Sequence, residues 1–170
     1  PVLQPGPADG GTAADEIGKV YYWYPVAPVS GQTYWYDAGA VKLTNDGFMD
    51  GKVCNSVAPA RTAEPVLNMA LSKFGRTTGY TDGKLIETNL CVRIYSSQTV
   101  FYVFCDQHII FSTTPGKDFM AGGDSGSYIY AKGDPSTAVL LGFAGNDQGY
   151  AIGSRFSRVM RGMGLLFTKP

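Results

Sequence analysis

Residues 113–131 read TTPGKDFMAGGDSGSYIYA, and the fold turns on how the middle of that stretch is understood. Gly122-Gly123-Asp124-Ser125-Gly126-Ser127 lies between a breaker-rich loop and a short aromatic and β-branched segment, so it reads as a tight turn leading into a strand. A serine that attacks a carbonyl needs its hydroxyl held out from such a turn. It also needs backbone N–H groups aimed at the oxygen that becomes negative. Ser125 supplies the hydroxyl, and the N–H groups of Gly123 and Ser125 are the expected oxyanion donors. The competing reading is a glycine-rich β-turn with an incidental serine.

The flanking sequence has the texture of an all-β chain. There are 22 glycines and 11 tyrosines, and short apolar segments alternate with Gly, Pro or Asn breakers. Strands are predicted over 17–26, 33–43, 84–95, 100–111, 126–131 and 137–145, where β-branched and aromatic residues concentrate. Only the tail differs: in SRFSRVMRGMGLLF, Phe156, Val159, Met160 and Met163 recur at helical spacing after the possible cap Ser154. The stretch 54–75 is weakly periodic, contains Pro59 and Pro65, and reads as a crossover between two β units with a boundary near residue 60. QPGPADGG near the start reads as an ordered loop.

Bulk properties narrow the function. A chain of 170 residues with 44% hydrophobic content can bury a real core. Fourteen basic and fourteen acidic residues leave no net field toward nucleic acid or an anionic membrane, and neither is an expected partner. No apolar run reaches the roughly 18 residues that span a bilayer, and the first residues lack a signal-peptide layout. A signal lost upstream would leave no trace, so localisation stays open. Cys54, Cys91 and Cys105 have no CxxC spacing, and no metal or cofactor is expected. If 85–95 and 100–111 pair across Ser96–Thr99, residue 91 falls opposite about 104. Cys91 and Cys105 then face opposite ways, and a bridge would need a bulge. The three are read as free, partly buried thiols.

The serine loop resembles the nucleophile motif of the chymotrypsin-like serine proteases, which lies in the second of two β-barrels. Other segments are similar to the bacterial and fungal trypsin-like branch: Leu3-Gln4-Pro5-Gly6-Pro7 with Asp9-Gly10-Gly11, then Lys73-Phe74-Gly75-Arg76-Thr77-Thr78-Gly79, and Tyr150-Ala151-Ile152. They occur in the family's order across nearly the whole chain. The resemblance implies a double β-barrel. Residues 1–60 are the C-terminal part of the first barrel, and 61–170 are the second barrel with a C-terminal helix. It assigns Asp37, in Tyr34-Trp35-Tyr36-Asp37-Ala38-Gly39, as the triad carboxylate, a buried group needing a hydrogen-bond partner; the competing reading is an exposed strand-end aspartate. Asp124 is assigned to support of the oxyanion loop by pairing with a cation or backbone donors. By family spacing Phe119 lies near the floor of the specificity pocket, with Phe143, Ala144 and Gly145 along its wall; the competing reading is that Phe119 is simply packed. That floor has no acid, which disfavours a lysine or arginine side chain unless Asp118 intrudes.

The family order is His, Asp, Ser, yet no histidine precedes Asp37. The only one is His108, on a predicted strand of the second barrel, and it reads as structural. The resemblance places the catalytic histidine shortly upstream of Leu3–Gly11. Residues 1–60 then supply about half of a first barrel, and open sheet edges are expected. The expected complement is an upstream fragment of the same precursor, carrying the histidine and held non-covalently, and the chain alone is expected to be inactive. The function implied is a serine endopeptidase acting on a peptide or protein substrate. The rivals are an inactive protease-fold binding or scaffold protein and a protease that cleaves only itself. The hydroxyl and cation of Arg76-Thr77-Thr78-Gly79 hint at a phosphate contact, but without a P-loop lysine pattern they read as a turn opening the second barrel.

Overall fold

The computed structural model describes residues 1–27, 31–48, 52, 57–145 and 148–167. The N-terminal part contains β1 (Val2–Leu3), β2 (Glu16–Trp23), β3 (Thr33–Tyr34) and β4 (Gly39–Leu43). β1, β2 and β4 form an antiparallel sheet in the order β1-β2-β4, leaving β1 and β4 as its two edges. β2 is exposed on both faces toward its end: Val20, Tyr21, Tyr22 and Trp23 are 53%, 67%, 40% and 63% accessible. β3 joins the other sheet, running parallel to a later strand.

After the two-residue β5 (Arg61–Thr62) come β6 (Ala70–Gly75), β7 (Gly79–Tyr95), β8 (Phe101–Ser112), β9 (Tyr128–Ala131), β10 (Asp134–Gly145) and β11 (Tyr150–Arg155). Their order, β11-β10-β9-β6-β7-β8, closes into a ring because β8 also pairs with β11, Gln107 to Phe111 against Ser154 to Tyr150. A closed six-stranded antiparallel barrel has no free edge. Its interior is filled by strand residues together with Phe119 and Met120 from the loop after β8: Leu71, Leu85, Ile110, Phe119, Met120, Ile129, Val139, Leu140 and Ala151 form one buried cluster.

Helix α1 (Phe156–Gly162) follows β11 directly. Ser154 does not cap it, because the Ser154 hydroxyl is buried and donates to Gln107 Oε1 across the β8–β11 seam. Val159 and Met163 instead bury against Tyr36, so the helix packs on the segment that follows β3.

The expectation of free thiols is corrected at Cys91 and Cys105, which are disulfide-bonded across β7 and β8. The pairing register slips between Leu90 and Val92, and Asp106 has φ of 59°. This is the bulge that simple alternation lacked, and it turns both cysteines to one side. Cys54 lies outside the described residues. Four observed strands lie outside the expected segments: the two-residue β1 and β5, β6 within the expected crossover, and β11, which the sequence marks only through Tyr150-Ala151-Ile152.

Candidate active site

Ser125 sits in the loop entering β9, and two elements fix that loop. A bulge in β10 at Phe143, where the register against β11 shifts between Gly142 and Ala144, brings the β10 backbone alongside it. Gly126 N–H donates to Gly142 O, and Gly142 N–H returns a bond to Ser127 O. The exposed Ser125 hydroxyl donates to Phe143 O at 3.2 Å. The N–H groups of Gly123 and Ser125 have no acceptor among the described residues, so both are free to donate to a ligand oxygen.

Asp124 is the second anchor. Its side chain is fully buried and accepts from Thr77 N–H (2.7 Å), Thr78 N–H (3.2 Å), the Thr78 hydroxyl (2.7 Å) and Ala121 N–H (3.0 Å). Its one cation among the described residues is the equally buried Lys73, with Nζ 3.3 Å from Oδ2. Burial alone would raise the Asp124 pKa, but the hydroxyl and N–H donors outweigh it and hold the group at about 2. Burial pushes the Lys73 ammonium down from its usual range, and Asp124 opposes the shift. Lys73 also donates to the Thr78 hydroxyl and Gly79 O. Gly75 is required here, since a Cβ would lie 2.4 Å from Asp124 Oδ1 and 2.9 Å from Lys73 Nζ.

Beside Ser125 is a cavity of about 320 Å³ lined by Asp118, Met120, Ala121, Gly122, Ala144 and Gly145. Ala144 and Gly145, expected along the pocket wall, belong to this lining, and Phe119, expected at the floor, does not. Its ring is fully buried in the barrel core, where it fills the space left by Gly83, and its carbonyl accepts from the Thr81 hydroxyl. The apolar side chain belongs to the core, and its charged neighbour Asp118 takes the lining position. Phe143 likewise faces a different recess.

That second recess, about 520 Å³, is lined by Trp23, Tyr24, Pro25, Val26, Asp37, Ile94, Tyr102, Phe104 and Phe143. Phe143 therefore borders both Ser125, through its carbonyl, and the hollow that contains Asp37, through its ring. Asp37 was expected to be buried, but it is exposed. Tyr34 and Tyr36 point inward, so alternation turns Trp35 and Asp37 outward. The segment is firmly seated: Gln107 Nε2 donates to Trp35 O, the Arg158 guanidinium lies 4.6 Å from the Trp35 ring centre, and Tyr36 packs on α1. Asp37 itself has no hydrogen bond or ion pair among the described residues.

His108 is far from this chemistry in connectivity and environment. It is fully buried on β8 opposite Gly153 of β11, and neither ring nitrogen has a hydrogen-bond partner among the described residues. Burial, reinforced by the Arg155 charge and opposed by Asp106 and Glu64, lowers its pKa to about 4, so it is neutral at pH 7. No group of metal-ligating side chains occurs among the described residues. Lys73 was the site residue that sequence reasoning missed. It stood inside a quoted motif, and only the fold reveals that it points inward at Asp124.

A closed six-stranded barrel presenting a GDSG turn at a bulged strand, with an N-terminal sheet and a C-terminal helix, is the chymotrypsin-like fold of bacterial serine proteases. The chain is similar to the chymotrypsin of Cellulomonas bogoriensis, with a TM-score of 0.61 and 16% identity over 95% of this chain and 80% of that one. An α-lytic protease homologue, N4, matches with a TM-score of 0.59 and 17% identity over 90% and 74% of the respective chains. Thermobifida fusca protease A gives 0.58 and 17% over 80% and 70%. No protein-family model matches the sequence, and no curated protein matches it.

Proposed function

We propose that this chain carries the nucleophile and the orienting carboxylate of a serine endopeptidase. The observation that carries the reading is the Ser125 loop, an exposed hydroxyl beside a cavity and two unengaged N–H groups on a turn pinned from below by Asp124. In the proposed step Ser125 Oγ bonds to the substrate carbonyl carbon, and its proton passes to a histidine. The carbonyl π electrons move onto the oxygen facing the Gly123 and Ser125 N–H groups. Collapse expels the amine, which takes the proton from the histidine and leaves an acyl-enzyme that water then hydrolyses. Asp37 orients and stabilises that histidine.

His108 does not fit the role of base, since it is buried between β8 and β11. The base in this reading comes from an upstream segment of the same precursor that packs on the N-terminal sheet. The bare apolar end of β2 and, among the described residues, the free edges of β1 and β4 and the unpaired carboxylate of Asp37 support such a partner. Co-expression with the upstream segment, followed by a fluorophosphonate probe, tests the proposal. Ser125 labelling in the assembly, absent in Ser125→Ala, is the expected result; no labelling sinks it.

A second reading, a binding module without turnover, draws on the same unpaired Asp37. If it holds, peptide binding survives Ser125→Ala and no hydrolysis accompanies it.

A further inference from the structure

The peptide unit joining Gly122 to Gly123 is planar, so the direction of its carbonyl fixes the opposite direction of its N–H. That N–H is the one assigned above to the oxyanion. The carbonyl end of the same unit is gripped from outside the loop, where the Thr77 hydroxyl donates to Gly122 O at 2.7 Å. Gly123 has φ of 97°, a left-handed backbone in which glycine turns over easily, so nothing within the residue itself resists a flip of that peptide. The restraint comes from across the turn.

Thr77 is well placed to provide it. Its own N–H donates to Asp124 Oδ1 at 2.7 Å, which fixes its backbone to the buried carboxylate. Its side chain fills the space beside Gly123: a Cβ on that glycine would lie 2.5 Å from Thr77 Oγ1 and 3.0 Å from Arg76 Nη1. Arg76 in turn pairs with Asp9, in the turn Pro7–Asp9 before β2. The Thr77 turn therefore supports the Ser125 loop and reaches the N-terminal segment through one ion pair.

We infer that Thr77 is a positioning residue for the oxyanion site, holding the Gly122–Gly123 peptide with its N–H facing the substrate carbonyl. Arg76 and Asp9 seat the turn that carries it. The inference rests on the proposed protease reading. A neutral hydrogen bond of this kind is worth about 1 kcal/mol, so without it the productive orientation falls to a minority and the rate drops roughly three- to tenfold.

The test uses the assembly that contains the upstream segment and follows fluorophosphonate labelling of Ser125 as a function of probe concentration. Thr77→Val removes the hydroxyl while keeping the branched shape, and Thr77→Ser keeps the hydroxyl. Thr77→Val should lower the saturating labelling rate three- to tenfold, leave the half-saturating probe concentration unchanged and lower the thermal midpoint by no more than about 2–4 °C. Thr77→Ser should restore most of the rate. Unchanged saturating rates in Thr77→Val, with the parent protein labelled, overturn the Thr77 inference alone. So does a loss in Thr77→Ser as large as that in Thr77→Val. An unlabelled parent overturns the protease reading and this inference with it.

Discussion

Replacing Lys73 by methionine strips the cation from Asp124 while keeping an unbranched side chain of similar length. Both partners are inaccessible to solvent, so the change leaves a carboxylate buried and unneutralised. Removing one member of a buried pair costs about 3–5 kcal/mol. Asp124 keeps its three N–H donors and the Thr78 hydroxyl, which places the expected loss near the lower end, about 3 kcal/mol. For a domain of this size each kcal/mol moves the midpoint by about 2–4 °C, so Tm should fall by roughly 10 °C. The penalty exists only while Asp124 is ionised. With its pKa held at about 2 in the parent, the difference between the two proteins should be full at pH 7 and shrink as Asp124 protonates in acid. Adding Asp124→Asn to Lys73→Met neutralises the orphan and should recover part of the loss. Calorimetry of the four proteins across pH measures all of this. A midpoint within about 2 °C of the parent for Lys73→Met alone would refute the claim that the pair is structural.

His108 should make the fold acid-sensitive. Its folded pKa, about 4, lies below the unfolded value of 6.5, so the unfolded chain binds the extra proton between them and stability falls as pH drops from 6.5 to 4. The loss reaches up to about 3 kcal/mol in urea titrations, and an identical pH slope in His108→Phe would contradict it. Unfolding under non-reducing conditions should expose one titratable thiol per chain and three after reduction, because Cys91 and Cys105 are bridged. Replacing both by serine should cost about 3 kcal/mol, the expected value for opening a loop of this length. Asp118 in the Ser125 cavity should favour probes whose side chain beside the reactive centre is cationic. Asp118→Asn should erase that preference severalfold in labelling rate, and an unaltered preference would remove Asp118 from the pocket's selectivity.

The parts of the fold legible in the sequence were those with local signatures. The six segments read as strands each overlap one or more of the observed strands, and the spacing of Phe156, Val159 and Met163 marked the helix. β6 was hidden because Lys73 interrupts its apolar pattern, and a lysine reads as solvent-facing until its buried partner, 51 residues away, is known. The disulfide escaped for a related reason: alternation assumes an uninterrupted ladder, and the bulge at Leu90–Val92 cannot be inferred from residue types. The Ser125 turn could be read directly because glycines at fixed positions announce backbone geometry. The pocket could not, since a single residue of phase decides whether Phe119 or Asp118 faces the cavity.

The ring of six strands closes only where β8 meets β11, and the segment between them, from Thr113 to Gly149, carries the nucleophile turn, β9 and β10. The bulge at Phe143 forms against β11, and β11 is held on its other side by Gln107–Phe111, so the Ser125 turn leans on a strand that this seam seats. A nascent or partly unfolded chain would therefore hold the right residues in no useful arrangement. In the proposed protease reading, Ser125 is fully scaffolded only once that seam is in place.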